Sequence, residues 1–148
     1  MVGPVTMIWL KNDIQELSRL CQELEVFAER CGLPPKVVFD LSLALDELVT
    51  NIISYGFPEN GEHDILVELS MENDVVRLRI EDDGTPFNPL NMAEPDTSAP
   101  LEERQIGGLG IHFVKHLMSS VEYERSGTKN ILRITKDCSG SCACLGKG

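Results

Sequence analysis

The sequence has little positive charge. Among its 148 residues, 24 acidic side chains stand against 13 Lys and Arg, which gives a formal net charge of −11. Proteins that bind the phosphate backbone of nucleic acid need clustered Lys and Arg, so this balance argues against a nucleic-acid-binding role. An acidic surface instead suits docking on a basic surface of another protein.

The sequence also lacks segments typical of export or membrane insertion. Residues 1–10 contain no basic stretch followed by an apolar run, as a signal peptide does, and no segment approaches the roughly 20 apolar residues of a membrane span. We therefore expect a cytoplasmic protein without membrane contact. The length suits one domain, and a hydrophobic fraction of 42% supports a core without disulfides or metal.

The five cysteines do not make a complete metal site. Cys21 and Cys31 fall in a helical pattern and are expected to be buried or half-buried. Cys138, Cys142 and Cys144 crowd the C-terminal end, where they offer three ligands without a nearby His, whereas zinc and iron–sulfur sites usually take four. We expect a domain over residues 1–137 and a flexible Cys-rich tail over residues 138–148. The alternative is a metal or redox appendage that another chain completes.

The hydrophobic pattern predicts elements in the order β-α-α-β-β-loop-α-β-β. Helices are expected from Asn12 or Asp13 to Gly32, from Pro35 to about Tyr55, and over residues 107–120. Period-two alternation predicts five strands, of which the first is buried on one face and partly covered on the other. Because the strands pair mostly as hairpins under three helices, we expect an α+β fold. It would be a two-layer sandwich whose sheet is mixed and mostly antiparallel.

Three segments of the sequence carry possible chemistry, and the first is on the second helix. Glu47 and Asn51 are spaced i,i+4, so their side chains stand one above the other. A carboxylate beside an amide oxygen can hold hydrated Mg²⁺ and orient a water or a hydroxyl. The alternative is an ordinary solvent-facing pair.

The second segment follows the third strand. Asp82 at the strand end can accept a hydrogen bond from an exocyclic amine such as that of adenine, and Gly84 lets the backbone pass close to a flat ring. A plain Asp-Gly hairpin turn is the alternative. It is weakened because no alternating strand follows. Residues 83–106 instead form a long segment with four prolines, which predicts a functional or disordered loop.

The third segment places three glycines where the last helix should begin, in Gly107-Gly108-Leu109-Gly110. Free backbone N–H groups at a helix N-terminus make a phosphate site, to which the helix dipole adds. A flexible hinge is the alternative. The cluster is not a P-loop, which needs a following Gly-Lys-Ser/Thr, and it does not follow the first strand as a dinucleotide fingerprint does.

In this order the three segments resemble the N, G1 and G2 boxes of the gyrase/histidine-kinase/MutL-type ATPase superfamily, the Bergerat fold. The closer resemblance is to the bacterial anti-sigma-factor serine/threonine kinases. The N box corresponds to residues 44–57, the G1 box to residues 82–89 and the G2 box to residues 107–115. Residues 98–111 are also similar to the lid-and-glycine segment of many stand-alone members, and the resemblance extends over roughly residues 3–136.

This resemblance implies a role for each matching residue. Glu47 would be the general base and Asn51 the Mg²⁺ ligand, acting through the ATP phosphates. Asp82 would bind the adenine amino group with Gly84 beside the ring. Further ATP contacts are implied for Phe87, Arg104, Gly107, Gly108, Leu109 and Gly110. Arg104, the only base of the lid, is the candidate nearest in sequence for the γ-phosphate, and Lys115 and Arg19 are alternatives.

The resemblance further implies a kinase that uses Mg-ATP to phosphorylate a serine or threonine of a STAS-type antagonist. A sigma factor would be the second partner, and related members form homodimers. Glu47 suits activation of a hydroxyl, which is worth about 10²–10⁴ in rate, whereas histidine-kinase domains usually carry Asn or His there. His63, His112 and His116 suit ordinary surface or flank positions.

Two other functions use the same residues. A non-catalytic module would hold ATP or ADP as a regulatory ligand and sequester a partner protein through its acidic surface. A gyrase-like ATPase would couple hydrolysis to lid closure and dimerisation, but we expect no transducer domain after Lys136, which argues against this function.

Overall fold

Helices and strands follow one another in the predicted order. The computed structural model describes residues 5–59, 61–91 and 106–139, without the side chains of residues 106–109. Its strands are β1 (Val5–Lys11), β2 (Asp64–Glu72), β3 (Val75–Asp82), β4 (Ser120–Ser126) and β5 (Lys129–Asp137). Its helices are α1 (Leu17–Cys31), α2 (Pro35–Tyr55) and α3 (Ile106–Leu117), with short 3₁₀ turns at Ile14–Glu16 and Pro89–Asn91.

Local signals explain the helix boundaries. Asp13, and not Asn12, is the cap: its Oδ1 accepts a hydrogen bond from the Gln15 N–H at 2.9 Å and starts the 3₁₀ turn before α1. Gly32 ends α1 with a φ of +66°, a left-handed conformation that favours glycine. Pro35 opens α2, because the first helical turn needs no N–H from that residue.

The strands form one five-stranded sheet in the order β1-β2-β3-β5-β4. All four pairings of this sheet are antiparallel. The predicted α+β sandwich is confirmed, and the described residues contain no parallel pair of strands. Alternation specifies which face a side chain lies on, but it does not specify strand direction, so the sequence alone allowed a mixed sheet.

The core lies between the three helices and one face of the sheet. The stripe predicted for α2 supplies its centre, since Leu41, Leu45, Leu48 and Ile52 are at most 5% exposed. From the sheet, inward-facing residues in register with one another complete this layer: Ile8, Val67, Ile80 and Leu132. The core therefore holds α2, which carries Glu47 and Asn51, against the middle of the sheet, which carries Asp82 at the end of β3.

The opposite face of the sheet is open along β1. Val5, Met7 and Trp9 are 56%, 54% and 56% exposed, so the prediction that this face is partly covered is wrong for the described residues. The three helices pack on the other face, which leaves these apolar side chains in solvent. They form an exposed stripe on an edge strand, which we call the β1 stripe.

The cysteines differ from expectation at two positions. Cys31 is half-buried as expected, but Cys21 is exposed because its position on α1 faces away from the sheet. Cys138, placed in the tail by its composition, is instead 1% exposed within the core, and its N–H donates to the Asp74 carbonyl at 2.8 Å. The folded part therefore includes Cys138, whereas Cys142 and Cys144 lie outside the described residues.

Candidate functional site

Glu47 and Asn51 meet on one flank of α2. The Asn51 Nδ2 donates to the Glu47 Oε2 at 3.0 Å. Asn51 is buried and Glu47 is half-buried, so neither is the solvent-facing residue that the alternative interpretation requires. The carboxylate and amide oxygens of this pair are of the kind that Mg²⁺ prefers.

The surroundings of Glu47 favour the neutral acid. Burial raises the pKa of the Glu47 carboxyl, the hydrogen bond from Asn51 opposes that shift, and the charge of Asp46 adds to it. A carboxylate with a raised pKa is a stronger base than an ordinary surface glutamate. Glu47 is therefore suited to accept a proton from a hydroxyl.

Gly110 on α3 lies directly against the Glu47 carboxylate. A Cβ at position 110 would be 1.9 Å from the Glu47 Cδ and 2.0 Å from its Oε1, so a side chain there would force the Glu47 carboxylate to move. The first turns of α3 thus approach α2 at the candidate base, and the first and third segments form one site. Gly107, Gly108 and Leu109 lie in the helical backbone of α3, which begins at Ile106, so the glycines are inside the helix and not in front of it.

Asp82 is buried at the end of β3. Its Oδ1 accepts hydrogen bonds from the Gly84 N–H at 2.8 Å and from the Asn130 Nδ2 at 3.0 Å. Burial raises the pKa of the Asp82 carboxyl, and the two hydrogen bonds oppose that shift. Because both donors reach Oδ1, Oδ2 is the oxygen that a ligand amine can approach.

Gly84 joins this strand end to the C-terminus of α2. A Cβ at position 84 would lie 2.5 Å from the Gly56 carbonyl oxygen, and the next residue, Thr85, donates its N–H to the same oxygen at 2.9 Å. Glycine is therefore required at 84 by a close approach of two backbones. This contact fixes the segment with Asp82 and Gly84 to the C-terminal end of α2, the helix that carries Glu47 and Asn51.

Asn130 on β5 is a residue of the site that the motifs do not identify. Its Nδ2 donates to Asp82 and to the Thr85 carbonyl at 2.9 Å, while its Oδ1 accepts from Tyr123, Arg125 and the Phe87 N–H. It is only 4% exposed. The available signal is its place in the alternation, because position 130 shares the inward face with Leu132 and carries an amide where apolar residues are expected.

A narrow slot opens beside Asp82. It is lined by Leu48, Ile52, Gly56, Asp82, Thr85, Phe87, Pro89, Asn130 and Leu132 and encloses about 10 Å³, room for about one water molecule. Apolar walls over a carboxylate and an amide fit the chemistry of a purine base. The slot is too narrow for a purine in this conformation.

His63 makes a second contact beside this strand end that the sequence does not predict. Its Nδ1 lies 3.0 Å from the Asp83 Oδ1 and its Nε2 lies 2.7 Å from the Glu59 Oε1, and the ring stacks on Phe57 with centroids 4.4 Å apart. We call this arrangement the His63 bridge. It links the loop after α2 to the residue that follows Asp82.

The three candidate cations for the γ-phosphate lie in different parts of the chain relative to the site. Arg104 lies outside the described residues. Arg19 binds Glu16 and the Trp9 carbonyl near the start of α1, whereas the Lys115 Nζ donates to the Leu90 carbonyl at 3.2 Å, next to Pro89 of the slot. Of the two alternatives that the structure describes, Lys115 is the one that contacts a residue next to the slot.

The described part of the chain holds no group of three or more His, Cys, Asp or Glu that could bind a metal ion by itself. A Mg²⁺ ion held by Asn51 would therefore need the phosphates of a nucleotide as its other ligands, which is the usual arrangement for this ion. Within the same residues, no helix is long and apolar enough to cross a membrane.

Relatives in sequence are bacterial proteins named as kinases or as an anti-sigma factor. The chain is 30% identical to the serine/threonine-protein kinase BtrW of Bordetella bronchiseptica over 76% of this chain and 79% of that protein. It is 29% identical to the serine-protein kinase RsbW of Listeria monocytogenes over 76% and 73%, and 29% identical to the anti-sigma F factor of Bacillus subtilis over 70% and 72%. The two relatives named as kinases confirm the predicted class of enzyme, a serine/threonine-protein kinase.

Solved structures share the fold. The RsbU and RsbW domains of Rv1364c from Mycobacterium tuberculosis superimpose with a TM-score of 0.64 at 18% identity, over 90% of this chain and 32% of that one. The histidine kinase domain of the Erythrobacter litoralis EL346 blue-light activated histidine kinase gives 0.57 at 16% identity, over 90% and 64%. This chain thus spans about a third of the first structure. Because residues 10–136 match the family described as the histidine kinase-like ATPase domain, the chain belongs to that family.

Proposed function

We propose that this protein is an anti-sigma-type serine/threonine kinase that binds Mg-ATP and phosphorylates a STAS-type antagonist protein. The observation that carries the proposal is the position of Glu47. Its carboxylate has a raised pKa and lies between the Asn51 amide and Gly110 of α3. A base at that point suits a substrate hydroxyl, and a protein that only held a nucleotide would have no use for it.

Each part of the site has a separate task in this proposal. Asp82, held by Asn130 and Gly84, accepts a hydrogen bond from the adenine amino group, and α3 directs its N-terminal N–H groups at the phosphates. Glu47 accepts the proton of the incoming hydroxyl, and Asn51 orients the carboxylate. Mg²⁺, when bound, neutralises charge on the phosphates. Arg104, Phe87, Gly107, Gly108 and Leu109 are proposed as further nucleotide contacts.

The proposal includes partners beyond the substrate. A sigma factor is the second partner, and the acidic surface implied by the net charge of −11 suits a basic patch on it. The relatives named serine-protein kinase RsbW and anti-sigma F factor support this pairing. We further propose that the protein works in the cytoplasm as a homodimer, for which the exposed β1 stripe provides an apolar surface.

The substitution Glu47→Gln tests the base directly. Glutamine keeps the size of the side chain and can still accept the hydrogen bond from Asn51, so ATP binding should stay within a few-fold. Transfer from labelled ATP to the antagonist should fall by about 10²–10⁴-fold. The matched control is Glu122→Gln, which makes the same change at an exposed carboxylate on β4. Full transfer by the Glu47→Gln protein would show that Glu47 is not the base.

The same assay separates the kinase from a nucleotide-binding module that sequesters its partner. Such a module would bind ATP and a partner but label none of the candidate antagonist proteins. Fast hydrolysis of ATP without any partner would instead favour a gyrase-like ATPase.

A further inference from the structure

A groove runs between α1 and α2 on the outside of the helical layer, away from the nucleotide site. Its wider part encloses about 700 Å³ and a connected narrower part about 190 Å³. Both parts share Cys21, Leu24 and Ser42 in their lining. We call this feature the α1–α2 groove.

Large apolar side chains of the α1–α2 groove are exposed. Phe39 and Leu43 are 60% and 44% exposed, and their i,i+4 spacing places them on one face of α2. The exposed Cys21 lies opposite them on α1. Contiguous apolar surface of this kind on a folded domain is typical of a protein-binding site.

The charges around the α1–α2 groove are of one sign. Glu25 and Glu29 line it from α1 and Asp46 lines it from α2. The described residues that line it include no Lys or Arg. A ligand for this surface must therefore combine an apolar face with flanking positive charge.

The length of the α1–α2 groove matches a helix. It follows α1, whose 15 residues span about 22 Å at about 1.5 Å per residue. A helix of three to four turns fills such a length. Apolar residues of a docked helix at i, i+3, i+4 and i+7 would contact Phe39, Leu43 and the α1 side of the groove, which is a known mode of peptide recognition.

We propose that the α1–α2 groove docks a basic amphipathic helix of a partner protein. The groove supplies the apolar contact through Phe39 and Leu43 and the charge contact through Glu25, Glu29 and Asp46. The proposal is independent of the proposed kinase activity, because the groove shares no residue with the nucleotide site.

A synthetic helix tests the surface. The probe is a fluorescein-labelled, end-capped Leu/Lys/Ala peptide of about 14 residues, a helix of about 21 Å, and its binding to the full chain is followed by anisotropy. Phe39→Glu should weaken binding by at least about tenfold, since a few central apolar anchors carry most of the binding energy of such an interface. The matched control is Val26→Glu, which adds the same charge at an apolar residue of α1 that is 48% exposed but outside the groove.

Three results would overturn the proposal. Equal binding by the two variants would mean that net charge, and not the groove, attracts the peptide. Equal binding of a Leu/Glu/Ala peptide would remove the charge argument. Loss of self-association in Phe39→Glu by sedimentation would make the groove an interface between copies of this chain.

Cys21 allows the docked position to be mapped. A chloroacetamide on the apolar face of the basic peptide reacts with a thiolate: sulfur bonds to the methylene carbon, chloride leaves and the thiol proton passes to buffer. Peptide mapping by mass spectrometry should place the thioether mainly on Cys21. A distribution over all the cysteines equal to that given by a scrambled, non-amphipathic peptide would contradict docking in the groove.

Nucleotide binding by Phe39→Glu and Val26→Glu is measured in parallel. Unchanged ATP affinity shows that each variant is folded. Peptide docking and phosphotransfer are measured separately, so the two proposals can fail separately. If the peptide does not dock, the kinase proposal still stands, and if no phosphate is transferred, the docking proposal still stands.

Discussion

The absence of a side chain at position 110 determines where the Glu47 carboxylate can lie. The distance of 1.9 Å from a hypothetical Cβ to the Glu47 Cδ is far inside contact. The glycine cluster of α3 is proposed to contact the phosphates. At this position, the structure adds a different requirement, which is room for the candidate base.

Gly110→Ala should therefore separate activity from stability. Alanine favours a helix interior over glycine by about 1 kcal/mol, so the thermal midpoint should hold or rise. The added methyl displaces Glu47, and a misplacement of about 1 Å can cost roughly 100-fold in rate. Thermal unfolding and single-turnover phosphotransfer measure the two effects. Full activity would mean that Glu47 can move without consequence.

Asn130 is proposed as a positioning residue for Asp82. Asn130→Ala removes one of the two donors to the Asp82 Oδ1, so that carboxylate should lose its fixed orientation toward the exocyclic amine of adenine. We expect the preference for ATP over ITP, which carries a carbonyl at that position, to fall by about tenfold.

A merely structural role for Asn130 would weaken both nucleotides equally, and that result would contradict the prediction. The control is Tyr123→Phe. It deletes the hydroxyl that donates to the Asn130 Oδ1 but leaves the Asn130 amide facing Asp82, so the ratio of the two affinities should change little.

At the scale of elements, the His63 bridge ties the loop before β2 to the end of β3. Partial desolvation lowers the pKa of the His63 imidazole, but hydrogen bonds to Glu59 and Asp83 outweigh it, so the pKa is raised. The charged groups of the surrounding cleft are Lys11, Glu62, Asp64, Glu81 and Lys129. Both ring nitrogens can donate to carboxylates only when the imidazole is protonated.

The bridge should therefore stabilise the fold in a pH-dependent way. A raised folded-state pKa gives a contribution that is complete below the unfolded value of about 6.5 and is lost as the pH rises through the folded value. Urea unfolding should show a gap in the free energy of unfolding between wild type and His63→Gln below about pH 6.5, and this gap should close as the pH rises through the raised folded-state pKa of His63. His116→Gln, at an exposed position on α3, is the control. A gap of constant size would show that His63 acts by packing on Phe57.

Periodicity and local motifs account for most of the elements and for much of the site. Alternation predicts Val76, Leu78 and Ile80 as inward-facing, and they are buried. The spacing of Glu47 and Asn51 predicts their proximity, since both lie on one helix. Both features involve residues close in sequence, so the geometry of a single strand or helix determines them.

Features that depend on distant pairing could not be predicted in this way. Asn130 meets Asp82 across 48 residues of chain because β3 and β5 are neighbours in the sheet, and the sequence pattern does not contain that pairing. His63 likewise meets Asp83 across 20 residues. The exposure of Val5, Met7 and Trp9 on β1 could not be predicted for another reason. A strand that is apolar on both faces has the same sequence pattern whether or not a second layer covers its outer face.

At the scale of the whole molecule, the β1 stripe should determine the oligomeric state. Trp9→Glu places a charge at the centre of an apolar surface, and burial of an unpaired charge opposes association strongly. Sedimentation should show dimers of the wild type and monomers of this variant, with nucleotide binding retained. Val26→Glu, which adds a charge at an exposed site on α1, should remain dimeric. A Trp9→Glu protein that is still dimeric would exclude this face as the interface.

The strand order β1-β2-β3-β5-β4 also has a consequence for synthesis on the ribosome. Asp82 is made 48 residues before Asn130, and at about 5–20 residues per second the interval is roughly 2–10 s. During that interval β1, β2 and β3 can pair, but the third strand still lacks its other neighbour. The nucleotide pocket thus cannot be completed before β5 is made, and a ligand that binds there can act only after that point of synthesis.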